Sequence, residues 1–272
     1  MKKRRADEAL FEDMGLESLT LARALIMEGR VMAGDRKILH ASEPVKPEEI
    51  LRVRGQIDGY VSRGALKLKK ALEAFHIRLD GKTCIDVGAS TGGFTDVMLR
   101  AGAGRVYAVD VGYNILDYRL RRDERVICME RTNARFLEPE QFDPRPSFGA
   151  TDVSFISLKA VLPACLKVLC GDDRRFVALI KPQFEAPKEL VGEKGVVRER
   201  AVHEQVLRDI TQFIPTLGWA VNGLDYSPIR GQEGNIEFLM DLVPVDNSTS
   251  HLHKYAIDEI IGKAYDNLIK SF

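Results

Sequence analysis

The hydrophobic positions change rhythm near residue 60. Before that point Leu16, Leu19, Ala22, Leu25 and Ile26 recur at helical spacing and stop at Gly29. Residues 31–38 then read as a short hairpin turning at Gly34-Asp35, Pro44 and Pro47 mark a turn, and 50–53 read as a strand. From residue 62 to 75, Ala65, Leu68, Leu72 and Phe75 share one helical face. Strand-like runs follow at 83–87, 105–110, 125–129, 148–153 and 176–180, with helical stretches at 93–100 and 157–169 among them. Alternating strand and helix predict a mostly parallel sheet with helices on both faces, the α/β class. After a helix at 200–214, the runs 219–226 and 236–243 leave no room for a crossover helix, so the last strand is predicted antiparallel. A polar stretch at 246–250 and an amphipathic helix with Ile257, Ile260, Ile261, Ala264 and Leu268 close the pattern. The predicted domains are a small α+β module over 1–58, the α/β domain over 59–245, and a hinge with a helix over 246–272.

Composition sharpens this picture. A chain of 272 residues with 45% hydrophobic and 29% charged positions has ample material for a core and excludes disorder as the main state. No apolar run approaches the roughly 18 residues that span a bilayer. The basic start, Met1 to Arg5, runs into Ala6-Asp7-Glu8 rather than an apolar stretch, so a secretion signal is not expected. Cys84, Cys128, Cys165 and Cys170 form no CxxC pair, so no metal site or disulfide framework is expected, and a reducing cytoplasm fits.

Forty basic residues balance forty acidic ones, which would argue against a nucleic-acid partner. By segment the balance breaks. Residues 1–80 hold 16 Lys and Arg against 13 Asp and Glu, leaving 24 against 27 for the remainder. Basic clusters stand at 52–82 and 119–135, where local patches can attract phosphates or form solvated helix faces.

The strongest chemical motif is Asp86-Val87-Gly88-Ala89-Ser90-Thr91-Gly92-Gly93-Phe94, which follows a strand and opens a helix. Such a turn lets a backbone approach a nucleotide-like ligand and offers helix N-terminal N–H groups to it. Asp110 ends the next strand, where an acid can accept from ribose hydroxyls. The spacing is not GxGxxG, which disfavours a dehydrogenase. Gly88 to Gly92 also fits GxSxG, but a nucleophile elbow is not expected on a first strand, and His203, His251 and His253 stand in weak contexts. An S-adenosylmethionine site accounts for both Asp86 and Asp110; a plain glycine-rich turn is the bland alternative.

Four further motifs carry a resemblance: Ser62-Arg63-Gly64-Ala65-Leu66-Lys67-Leu68, Thr151-Asp152-Val153-Ser154-Phe155, Ile180-Lys181-Pro182-Gln183-Phe184-Glu185, and the run from Ser227 to Glu237. Together they resemble the TlyA-type (haemolysin A) branch of the FtsJ-like ribose 2′-O-methyltransferases over residues 1 to about 243. The resemblance implies a Rossmann-like methyltransferase sheet, S-adenosylmethionine as cofactor, and ribosomal RNA or ribosomal subunits as partner, with cytidine the usual target. It maps the catalytic set onto Lys67, Asp152, Lys181 and Glu237, with Lys181 the base. It implies cofactor contacts from Asp86, Gly88, Ala89, Ser90, Gly92, Gly93, Phe94, Asp110, Val111, Asn133 and Asp152.

The chemistry is consistent with those residue types. A ribose hydroxyl needs a base within hydrogen-bond reach. A lysine serves once its pKa is lowered; two lysines in one pocket are expected to depress each other, and two carboxylates to hold the ammonium groups in place and keep the site near neutral. The hydroxyl must lie in line with the methyl group, about 3 Å away, for positioning to contribute. Amino-methylating enzymes would show Asn/Asp-Pro-Pro-aromatic where this chain has Asp-Val-Ser-Phe, and Cys165 and Cys170 sit in or beside an apolar helix, as core residues do.

The run from Arg5 to Leu10, with Gly15, Ser18, Ala22-Arg23, Ile26, Gly29, Val31 and Gly34, resembles a small RNA-binding domain named after a ribosomal small-subunit protein. The basic residue that usually follows the serine is Leu19 here. Arg4, Arg5, Arg23, Arg30, Arg36 and Lys37, with Arg63 beyond the module, are the expected phosphate contacts. Two other functions compete. A membrane-active haemolysin finds no spanning helix and a terminal helix of mixed charge, so no stable membrane association is expected. A non-catalytic RNA-binding assembly factor is opposed by the intact glycine turn and all four polar positions. The loop 184–200, with Gly192 and Gly195, is expected to form a mobile lid.

Overall fold

The structure is a computed structural model that describes residues 4–14, 16, 18–34, 36–46, 49, 51–53, 59–231, 233–245 and 257–268. It divides into two compact units, Met1–Gly59 and Tyr60–Phe272.

The first unit contains β1 (Arg4–Arg5), α1 (Ala6–Met14), α2 (Leu19–Met27), β2 (Val31–Ala33), β3 (Arg36–Lys37), β4 (Pro44–Val45) and β5 (Leu51–Val53). Ser18 starts α2 because its Oγ accepts from Leu21 N at 3.1 Å, a cap that leaves Leu16 ahead of the helix. Helix α1 escaped the periodicity reading because its buried stripe is short and alanine-rich: Ala6, Ala9 and Leu10. Pro44 is not in a turn as expected. It lies in β4, antiparallel to β1, in a two-stranded ribbon where a missing N–H is tolerated. Pro47, Asp35 and Ile50 lie outside the described residues. Strands β3, β2 and β5 form an antiparallel sheet over a core of Leu25, Ile26, Val31 and Ile38.

The second unit contains α3 (Ala65–Ala74), β6 (Thr83–Val87), α4 (Gly93–Arg100), β7 (Arg105–Val109), α5 (Tyr118–Arg121), β8 (Val126–Met129), β9 (Phe148–Thr151), α6 (Leu158–Lys167), β10 (Arg175–Ile180), α7 (Pro182–Glu185), α8 (Arg200–Phe213), β11 (Trp219–Tyr226), β12 (Phe238–Pro244) and α9 (Ile257–Leu268). The sheet order is β11-β12-β10-β9-β6-β7-β8. Strands β10, β9, β6, β7 and β8 run parallel; β12 is antiparallel to both β10 and β11. Apolar residues pack on both faces, with Val87, Val109 and Ile180 in one layer and Cys84, Ala108 and Leu179 in the other, as a doubly covered sheet requires. Helix α9 buries Ile261 and Ala264 against α8 and β11; the polar stretch 246–250 and His251 and His253 lie outside the described residues. No helix among the described residues is long and apolar enough to cross a membrane.

Because β12 is antiparallel, its first residue stands at the edge where the parallel strands end. The register pairs Ile180, the last residue of β10, with Phe238, the first of β12. Residues just past β9 and β10 and just before β12 therefore meet at one edge of the sheet.

Candidate active site

Three residues stand at that edge for this reason. Asp152 follows β9, Lys181 follows β10 and Glu237 precedes β12. Lys67 reaches them from the first turn of α3. Lys181 Nζ lies 2.6 Å from Asp152 Oδ1, Lys67 Nζ lies 3.1 Å from Asp152 Oδ2, and Lys67 Nζ lies 2.7 Å from Glu237 Oε2. Lys181 Nζ also donates to Ser154 Oγ at 2.8 Å. The groups thus form an unbroken row: Ser154, Lys181, Asp152, Lys67, Glu237. Lys67, Lys181 and Glu237 are 7%, 8% and 2% exposed, so the row lies largely out of water. Gly231 makes room for its end, since a Cβ there would stand 2.7 Å from Glu237 Oε1.

The electrostatics correct one expectation. Carboxylates alternate with the lysines, so Lys67 is not depressed. Burial pushes the Lys67 ammonium down, but Asp152 and Glu237 outweigh it and hold its pKa above the ordinary lysine range. Burial likewise pushes Asp152 up, and Lys67 with Lys181 outweighs that and holds it below the usual carboxylate range. At Glu237 burial wins and the pKa is raised. Lys67 is therefore a locked cation clasped by two carboxylates. Lys181 shares one carboxylate and a hydroxyl, and its Nζ lies 6.0 Å from the Phe184 ring centre.

The glycine turn touches the same row. Gly88 has φ +83°, and a Cβ on it would lie 3.1 Å from the Asp152 carbonyl oxygen and from Val153 Cγ1. Only glycine fits there, and the turn is thereby seated on the residue that pairs both lysines. Ser90 N donates to Asp110 Oδ2 at 2.8 Å and Gly112 N to Asp110 Oδ1 at 2.7 Å. Each carboxylate oxygen keeps a further lone pair for a ribose hydroxyl. Val111 is exposed beyond Asp110, and Asn133 accepts from Arg135 N at 3.1 Å to cap a short helical turn. These residues fit a cofactor that carries a ribose.

Other motif residues serve the protein itself. Asp86 Oδ2 accepts from Thr95 N at 2.8 Å and Thr95 Oγ1 at 2.7 Å, so this oxygen caps α4 from within. Gly93 is required by packing, since a Cβ would stand 2.3 Å from Ser62 Oγ and 2.9 Å from Ala65 N. Gly92 sits against Leu116 and Leu120, and Phe94 is buried in that layer.

The expected RNA contacts are mostly engaged by carboxylates. Arg4 pairs with Glu12 and Asp13, Arg5 and Arg23 with the buried Asp7, Arg30 with Glu28, and Arg36 with Glu43 and Glu49. Arg5 and Arg23 hold the Asp7 carboxyl down at about 2. Lys37 and Arg63 are exposed. The 119–135 cluster is similarly paired: Arg119 with Asp117, Arg121 with Glu130, Arg125 with Asp123.

Sequence reasoning missed two groups here. Ser154 lies inside a quoted motif but its bond to Lys181 is tertiary. Phe155 is 92% exposed, holds φ +64°, and sits 5.2 Å from the Phe184 ring. An exposed bulky residue at positive φ is the kind of strain found at working sites. The loop 184–200 is tethered by Asn235, which accepts from Val197 N at 2.9 Å and donates to the Gly195 carbonyl at 2.8 Å.

Fold and site together define a Rossmann-like α/β protein whose ligand turn and buried lysine–carboxylate row share one edge of the sheet. The chain belongs to the FtsJ-like methyltransferase family, whose profile matches residues 60–242. YqxC of Bacillus subtilis is 46% identical over 242 residues, 89% of this chain and 86% of that protein. The 16S/23S rRNA (cytidine-2′-O)-methyltransferase TlyA of Mycobacterium tuberculosis is 47% identical over 181 residues, 66% of this chain and 67% of that one. A solved structure of a Streptococcus thermophilus protein with hemolysin in its name superposes with TM-score 0.77 at 43% identity, covering 99% of this chain and 98% of its own.

Proposed function

We propose that this chain transfers a methyl group from S-adenosylmethionine to a ribose 2′-hydroxyl of ribosomal RNA, with cytidine as the target. The observation that carries the reading is the buried row Ser154–Lys181–Asp152–Lys67–Glu237 seated against the glycine turn. The name of the M. tuberculosis relative supports the RNA and the cytidine.

S-adenosylmethionine, when bound, supplies a methyl group on a positively charged sulfur. Gly88, Ala89 and Ser90 with Asp110 would hold it, flanked by Val111 and Asn133. Lys181 Nζ would receive the proton that the ribose 2′-hydroxyl gives up. A base must be free to take a proton, and Lys67 is held as an ammonium by two carboxylates. Lys67 instead positions: two of its N–H groups face Asp152 and Glu237, leaving one for a substrate oxygen. Asp152 bridges both lysines and fixes their separation. Phe155, exposed beside this row, offers a ring to a splayed-out base, as single-stranded RNA recognition commonly uses.

The deciding experiment incubates the protein with labelled cofactor and ribosomal RNA lacking the modification, then digests the RNA to nucleosides. Label is expected in 2′-O-methylcytidine, and none when the target ribose is replaced by deoxyribose. Label on a base, or transfer to the deoxy substrate, refutes the reading. The first unit's arginines would contact phosphates by sharing guanidinium N–H groups with their present carboxylates. Replacing Arg36 and Lys37 together by alanine is therefore expected to raise KM for RNA several-fold and to leave kcat near wild type. Because phosphate contacts are ionic, the KM of this variant should also rise less steeply with added salt than that of wild type.

A further inference from the structure

Glu185 has no place in the charged row, but it joins the two segments that carry the row. One segment is Lys181 followed by α7, of which Glu185 is the last residue. The other is 152–157, the turn from Asp152 to Ser157 that leads into α6. Glu185 Oε2 accepts from Ser157 Oγ at 2.6 Å, and Oε1 accepts from Leu158 N at 2.7 Å. The same two segments meet again through the Phe155 and Phe184 rings at 5.2 Å, and again where Lys181 Nζ meets Ser154 Oγ at 2.8 Å and Asp152 Oδ1 at 2.6 Å. The turn between those contacts passes through Phe155 at φ +64°. A bulky residue in that region persists only where the surroundings hold it.

We propose that Glu185 is a positioning residue for Lys181: by fastening the far end of the 152–158 turn onto α7, it keeps Ser154 and Asp152 on the lysine nitrogen and so fixes the direction in which that nitrogen accepts a proton. The role is geometric. Both carboxylate oxygens accept from neutral donors, one a backbone N–H and one a hydroxyl. Ser157 caps α6 on its own account, with Lys159 N donating to its Oγ at 3.2 Å, so the helix has a cap that does not depend on Glu185. The inference rests on the reading of Lys181 as the base. A misplacement of about 1 Å at a reacting group costs on the order of a hundredfold in rate, so a slack turn should be visible in kcat.

The test compares Glu185→Ala, Glu185→Gln and Ser157→Ala with wild type in methyl transfer to ribosomal RNA, with Tm measured for each. Glu185→Ala is expected to lower kcat roughly tenfold to a hundredfold while KM for cofactor and RNA change little. Glu185→Gln, whose amide oxygen still accepts from Leu158 N, should restore kcat to within about threefold of wild type. Ser157→Ala should lower Tm but leave kcat within the same range, because the Glu185–Leu158 bond survives. If Glu185→Ala does not fold, Glu185→Asp carries the test, since a carboxylate one methylene shorter cannot reach both donors without drawing the segments together; its kcat should fall by roughly threefold to tenfold. Wild-type kcat in folded Glu185→Ala or Glu185→Asp overturns the proposal. So does a Ser157→Ala variant that loses as much kcat, or a Glu185→Gln variant that is not rescued. Wild type without any methyl transfer would instead refute the functional reading itself.

Discussion

Lys181→Ala is expected to lose 10²- to 10⁴-fold in single-turnover methyl transfer, the range a positioned general base contributes. Its affinity for S-adenosylmethionine should stay within a few-fold of wild type. The two halves of the expectation have separate grounds. Lys181 Nζ meets Asp152, Ser154 and the Phe184 ring, and none of these belongs to the glycine turn or to Asp110. Asp152 keeps Lys67 as its partner, so the substitution does not strand the carboxylate. Rapid-quench transfer of labelled methyl groups gives the rate, and titration calorimetry gives the affinity. Turnover within about threefold of wild type would reassign the base. A parallel collapse of cofactor binding would show that Lys181 builds the cofactor site instead.

The scaffold of this site was readable along the chain because strand ends are signalled by apolar runs. Asp152, Lys181 and Glu237 each sit within a residue of a predicted strand boundary, and the antiparallel β12 brings the third to the edge of the other two. The residue types announced that carboxylates would hold the ammonium groups, but not the order of the pairing, in which Asp152 stands between the two lysines and Glu237 beside Lys67. The arginines of the first unit look available until Arg36 is found on Glu43 and Glu49, and Arg23 on Asp7, sixteen positions away. Such contacts are set by tertiary folding, and periodicity carries no record of them. The glycines show the same limit. Gly88, Gly92 and Gly93 look alike along the chain, and only the fold reveals that a Cβ on Gly93 would meet Ser62 and Ala65 and one on Gly92 would meet Leu116 and Leu120.

Asp86 should make the cofactor-free protein less stable as pH rises. Its carboxyl is fully buried; Oδ2 accepts from Thr95 N and Oγ1, and Oδ1 has no hydrogen-bond partner among the described residues. Burial, which the Thr95 bonds only partly offset, pushes its pKa up from 3.8 to about 7. A carboxyl with a raised folded pKa favours folding below its unfolded pKa, and the advantage drains away as pH climbs to the folded value. The window is thus pH 4 to 7, and the shift corresponds to on the order of 4 kcal/mol. His203 acts in the opposite sense over nearly the same window. Burial lowers its pKa from 6.5 to about 4, so its contribution is present above 6.5 and lost as pH falls towards 4. The wild-type curve alone therefore cannot isolate Asp86, but its difference from Asp86→Asn can, since His203 is common to both. The amide is neutral at every pH and still offers one oxygen to Thr95. The Tm of Asp86→Asn minus that of wild type is expected to rise steadily from pH 5 to pH 7 and to level off above it, whatever fixed cost the buried amide N–H₂ adds. A difference that stays flat across that range would mean that Asp86 is ionised throughout, held so by a partner at Oδ1.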